Sequence, residues 1–127
     1  MRKPIVIALA ATVAVAVTVP TLASPPPPPV RVKIGDDFFV KSTFNVPTIH
    51  VAQFRKLKFF WTGQHTHNVY LVAAPKGYGR KFHSKDQTNN VPPGHHPIYL
   101  TPRSLSKKGT YTFMCMIHGF QVDVKVK

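Results

Sequence analysis

Glutamate is absent from this 127-residue chain, whose acids are Asp36, Asp37, Asp86 and Asp123 against 17 lysines and arginines. A formal charge of +13 therefore has little local compensation. Such a field attracts acidic proteins, anionic lipid headgroups or nucleic acid. The basic residues are scattered through strand-like and loop segments rather than clustered with aromatics, which argues against a nucleic-acid partner. Cysteine is nearly absent as well: Cys115 stands alone, so no disulfide can form within the chain. No window shows a convincing helical period, which excludes a helical bundle. The apolar run over residues 5–19 is shorter than the roughly 20 residues that span a bilayer.

That run has another use. Arg2 and Lys3 precede it, and Thr21, Leu22 and Ala23 place small residues where an exported protein is cleaved, so residues 1–23 read as a secretory signal. No cysteine lies near the cleavage point, which removes lipid attachment there. Cleavage takes Arg2 and Lys3 and leaves 15 basic against four acidic side chains. The expected location is periplasmic or extracellular, with membrane association if the segment is retained. An unpaired thiol in an oxidising compartment then needs a reason other than a disulfide. One reading is a small buried apolar side chain. The other is a metal ligand.

Residues 24–29 form a proline-rich linker, in which Pro25 to Pro29 donate no backbone hydrogen bonds and favour an extended polyproline conformation. From residue 30 the signals are those of strands. Val30, Val32 and Ile34 alternate with Arg31 and Lys33, and Leu57, Phe59 and Trp61 share one face with Lys56 and Lys58 on the other. Further strand-like segments include residues 46–51, 68–72, 97–100, 110–114 and 122–126, with an apolar group at Phe38, Phe39, Val40 and Phe44. The fold class is all-β: a Greek-key antiparallel sandwich or barrel of seven to eight strands within one domain, residues 30–127. Residues 73–94, rich in glycine and proline, are too long for a hairpin and read as a surface excursion with room for one helical turn.

The chemistry concentrates near the C-terminus. Strand alternation puts Tyr111, Phe113 and Cys115 on one face, so the thiol points at the core. A chain that turns just after Cys115 brings His118 back beside the sulfur, and Gly119 makes that turn sterically easy. His67 supplies a second imidazole. One thiolate and two imidazoles form the donor set that favours a blue-copper centre; zinc accepts the same donors, but copper binds them more tightly. His65 reads as an exposed loop histidine near the site. His50, His83, His95 and His96 read as solvated or hydrogen-bonded side chains.

These residues resemble the cupredoxins, the plastocyanin- and amicyanin-like blue-copper proteins. Phe60, Trp61 and Thr62 followed by His67, Asn68 and Val69 are similar to the strand and loop that supply that family's first histidine ligand. Gly109 through Cys115 is similar to its penultimate strand. The spacing from Cys115 to His118 and then to Gln121 resembles the short ligand loop of amicyanin. The resemblance implies one copper ion, cycling between Cu(I) and Cu(II), held by His67, Cys115 and His118. It also implies that backbone contacts of Asn68 fasten the two ligand loops. Gln121 stands where a weak axial methionine is expected, as in stellacyanin-like members. As an axial ligand its harder oxygen would favour Cu(II) and lower the potential. Met116 is the competing axial candidate, while Met114 points away from the sulfur.

The function so implied is a one-electron carrier, not an enzyme, acting as a monomer. It would dock briefly with an acidic redox partner and associate with anionic membrane surfaces. The second reading is a copper chaperone or scavenger using His65, His67, Met114 and Met116. A nucleophile and base made of Cys115 and His118 lacks an orienting third group.

Overall fold

The computed structural model describes residues 23–40, 45–89 and 97–127. The signal segment up to residue 22, together with Phe44, Pro92, Pro93, Gly94, His95 and His96, lies outside the described residues. Ala23 to Pro28 are exposed and carry no regular secondary structure. Nine strands follow among the described residues: β1 Val30–Ile34, β2 Thr48–Val51, β3 Leu57–Trp61, β4 Thr66–His67, β5 Tyr70–Ala73, β6 Gln87–Thr88, β7 Ile98–Leu100, β8 Gly109–Met114 and β9 Gln121–Val126.

The alternation in the sequence is the alternation in space. In β3, Leu57, Phe59 and Trp61 are buried while Lys58 and Phe60 are partly exposed. In β9, Val122, Val124 and Val126 face the core. One sheet orders β1-β3-β7, a second orders β2-β9-β8-β5, and β4 pairs with β6. Phe59 of the first sheet meets Phe113 of the second at a ring separation of 5.1 Å. Their inward faces form a single apolar core that also holds Trp61, Tyr111 and Cys115. The all-β sandwich therefore stands.

Its sheets are mixed. β1 runs parallel to β3, and β2 runs parallel to β9, while β8 pairs antiparallel with both β5 and β9. Two consecutive strands that lie in different sheets leave the third free to return beside the first in the same direction. Side-chain periodicity reports which face is buried, not the direction of the neighbour, so this feature is invisible in the pattern.

Residues 73–89 carry no helical turn. Instead Tyr78 and Phe82 turn inward and are nearly fully buried. Tyr78 packs edge-on against Tyr111 with centroids 4.8 Å apart. The excursion is thus anchored in the core at its midpoint, and its far end, β6, is positioned against the loop that carries His67.

Candidate metal centre

Two loops at one end of the sandwich converge. The first follows β3 and contains His67 in β4. It is held by Asp36, whose carboxylate accepts the backbone N–H of Gln64 at 2.5 Å and of His65 at 2.9 Å. Those N–H groups depress the Asp36 pKa, His65 contributing most. Gly63 permits this wrapping, because a Cβ there would collide with the Asp36 carboxylate and come within 2.7 Å of its backbone nitrogen. On the other side β6 closes the loop, with the Thr88 hydroxyl donating to the Gln64 carbonyl at 3.1 Å.

The second loop connects β8 to β9. Cys115 ends the core-facing row of β8, and the chain then reverses through Met116 and Ile117. The Gly119 N–H donates to the Cys115 carbonyl at 2.8 Å, and the Cys115 N–H donates to the Phe120 carbonyl at 3.0 Å. Gly119 sits at a φ of 79°, in the left-handed region that glycine adopts without a steric cost. This closed turn returns His118 to the sulfur.

Asn68 joins the two loops. Its side-chain oxygen accepts the Met116 N–H at 2.7 Å, and its amide donates to Asp86 at 2.8 Å. The resemblance implies fastening through the Asn68 backbone; the structure does it with the side chain. Asp86 and Asp36 are the supporting residues that sequence reasoning missed. Neither lies near a ligand in sequence, and only their charge in an otherwise basic chain marks them.

Three atoms able to hold a metal ion meet. Cys115 Sγ lies 3.7 Å from His67 Nδ1 and 3.7 Å from His118 Nδ1, and the two Nδ1 atoms are 3.0 Å apart. A point in the plane of these atoms is roughly 2 Å from each, close to the 2.0–2.1 Å of a metal–imidazole bond. Cys115 and His67 are fully buried, while His118 is exposed. Burial holds the His67 imidazolium below its ordinary pKa, the nearby His118 adds to that, and Asp36 opposes it. The neutral, ligating form of His67 is thereby favoured.

The other ring nitrogen, Nε2, is buried without a hydrogen-bond partner and faces the Asp36 carboxylate at 3.9 Å. That is an electrostatic distance rather than a hydrogen bond. Asp36 thus lies behind His67, where its negative charge faces the ring nitrogen turned away from the cluster.

His67, Cys115 and His118 come together as the sequence reading expects. Gln121 has a different partner. Its amide donates to Met114 Sδ at 3.3 Å, and the two residues are cross-strand partners. Counting back from the core-facing Val122 puts Gln121 on the opposite face of the sheet from Cys115, because alternation governs β9 as it governs β8. Met116 is 53% exposed and its N–H is committed to Asn68, so it turns to solvent. His65 is exposed, its ring 6.5 Å from His67 and 6.2 Å from His118. His83 stacks on Tyr70 and His50 is exposed on β2, both away from the cluster.

No family model and no curated protein matches the chain. Among solved structures, a reduced Cu(I) form at pH 4 of an amicyanin variant with glycine in place of a proline is 19% identical. It aligns with a TM-score of 0.57 over 83% of this chain and 88% of that one. An oxidised amicyanin variant with lysine in place of a methionine aligns over the same shares at 19% identity and a TM-score of 0.58. A Cu(I) amicyanin variant with glutamine in place of a methionine aligns at 20% identity and a TM-score of 0.55, covering 77% of this chain and 81% of that one. The chain therefore has the fold of amicyanin, the cupredoxin β-sandwich, with the Cys115 sulfur and two imidazoles gathered between two loops at one end of it.

Proposed function

We propose that this protein binds one copper ion through His67, Cys115 and His118 and acts as an exported one-electron carrier. The observation that carries the reading is the triangle of one sulfur and two imidazole nitrogens, buried at Cys115 and His67, open at His118 and sized for a single metal ion. The solved neighbours of the same fold include Cu(I) and oxidised forms of amicyanin. Bound copper supplies reversible one-electron chemistry between Cu(I) and Cu(II).

The protein supplies everything else. Two sheets hold the loops rigidly, and Asn68 locks one loop to the other, so the donor atoms keep their positions through a change of charge. Zinc takes a fourth donor in its structural sites, whereas a trigonal His₂Cys set suits copper. Among the described residues no fourth histidine, cysteine or acid joins the three. His118 reaches the surface beside the exposed side chains of Met116 and Ile117. An apolar patch around a ligand edge suits brief docking, and the basic surface supports an acidic partner. Export rests on the signal read in residues 1–23, and residues 24–29 serve as a spacer ahead of the copper domain.

The test is a visible spectrum of the mature domain after addition of Cu(II). An intense thiolate-to-copper charge-transfer band is expected, abolished in Cys115→Ser. A folded, copper-loaded protein without the band refutes the site. The chaperone reading predicts a different behaviour: copper handed rapidly to an acceptor rather than retained through repeated oxidation and reduction.

A further inference from the structure

Phe120, the residue before Gln121, packs against the ligand cluster. Its backbone carbonyl accepts the Cys115 N–H at 3.0 Å, making it the cross-strand neighbour of the ligating cysteine on the core side. Its ring lies edge-on to His67 with centroids 5.4 Å apart, and parallel to His118 at 6.0 Å with an interplanar angle of 4°. Phe39 packs behind it at 4.9 Å, wedging the ring in place. One aromatic side chain thus contacts both ligating imidazoles from the protein interior.

Three side chains with a soft or amide donor near the cluster face elsewhere. Gln121 and Met114 satisfy each other on the far side of the sheet, and Met116 extends into solvent. We infer that Phe120 walls the inner side of the site, so that a copper ion held by His67, Cys115 and His118 would take no side-chain donor from that side and Gln121 would lie outside its coordination sphere.

This inference rests on the copper reading above and sharpens it. Cu(II) gains more than Cu(I) from an additional oxygen or sulfur donor, and an apolar wall withholds that donor and water alike. The consequence is the reverse of the one that an axial glutamine implies: the reduced state is favoured and the potential is raised. The same wall also explains how a site with only three donors excludes a fourth ligand from solvent on its inner side.

The test uses the copper-loaded mature protein, with the reduction potential, visible spectrum and electron paramagnetic resonance of Cu(II) as readouts. Gln121→Ala and Gln121→Met are expected to leave all three unchanged. Phe120→Met is expected to lower the potential and alter the copper hyperfine pattern, because a thioether then enters the axial space. Phe120→Leu, which stays apolar, is expected to preserve the potential even where it costs stability, and it stands as the control should Phe120→Met fold poorly. A potential that moves with Gln121 overturns the inference, and so does one that Phe120→Met leaves untouched. Those outcomes leave the copper reading intact, whereas absence of the charge-transfer band in the unaltered protein removes the reading itself.

Discussion

The side-chain oxygen of Asn68 accepts the Met116 N–H at 2.7 Å, bridging 48 positions of sequence between the loop of one ligand and the loop of the other two. The same side chain donates to Asp86 at 2.8 Å, so three segments meet at one amide. Asn68→Ala leaves partners unsatisfied on both sides and is expected to cost about 1–3 kcal/mol. Copper should also escape faster to a chelator, because the side-chain tie between the two loops is then gone. Urea unfolding of the metal-free protein and chelator-driven copper release measure the two effects. Wild-type values for both would show that the strap has no mechanical role.

Asp36 is the second support, aimed at the buried Nε2 of His67. Asp36→Asn retains an oxygen for the Gln64 and His65 amides while removing the charge behind the imidazole. Copper affinity is expected to fall about 10–100-fold, the usual consequence of losing an outer-shell partner. Gly63→Ala should produce a similar loss by pushing the carboxylate aside, since its Cβ has no room beside Asp36. Competition against a chelator of known affinity checks both variants. Unchanged affinity in the pair would reduce Asp36 to a loop anchor.

Copper should stabilise the fold, because the three donor atoms converge only in the folded chain. At a free copper concentration 100-fold above Kd the gain is about 2.7 kcal/mol. For a domain of this size that is on the order of ten degrees in Tm. Thermal unfolding with and without a chelator measures it, and Cys115→Ser should forfeit most of the gain. An equal gain in Cys115→Ser would place the copper elsewhere, with the exposed His65 as the first suspect.

Docking to a redox partner should depend steeply on ionic strength. The chain opposes its 17 basic residues with four acids, and screening over about 10 Å at 0.1 M salt removes most of such a field. The association rate with an acidic electron-transfer protein is expected to drop as salt rises. A rate indifferent to salt would assign recognition to the apolar surface around Met116 and Ile117 instead.

Gln121 shows how far spacing can be trusted. A motif match carries the eye from Cys115 through His118 to position 121, yet the valines at 122, 124 and 126 already imply that 121 faces outward and 120 inward. The two signals conflict, and the strand pairing decides between them: Met114 opposite Gln121 brings their side chains together on the outer face. Residues 73–94 are a different failure. Glycines, prolines and charges advertise a surface loop, and they mask two buried aromatics, Tyr78 packed on Tyr111 and Phe82 packed on Tyr78. A pair of aromatics four residues apart in a polar stretch is a weak signal without knowledge of what lies beneath.

By itself the sequence determined what is periodic and local. The burial of Leu57, Phe59 and Trp61, the inward thiol of Cys115, and the turn that returns His118 all follow from alternation and from the freedom of Gly119, which neighbouring residues suffice to specify. Tertiary structure decided what depends on strands distant in sequence choosing each other: the parallel pairing of β1 with β3, the arrival of His67 3.7 Å from the sulfur, and Asp36 behind it. It also decided that Phe120 packs against His67 and His118 while the Gln121 amide donates to Met114. Side-chain periodicity encodes which face is buried, whereas a coordination site is assembled from the faces of several segments, and their register is set only when the sandwich closes.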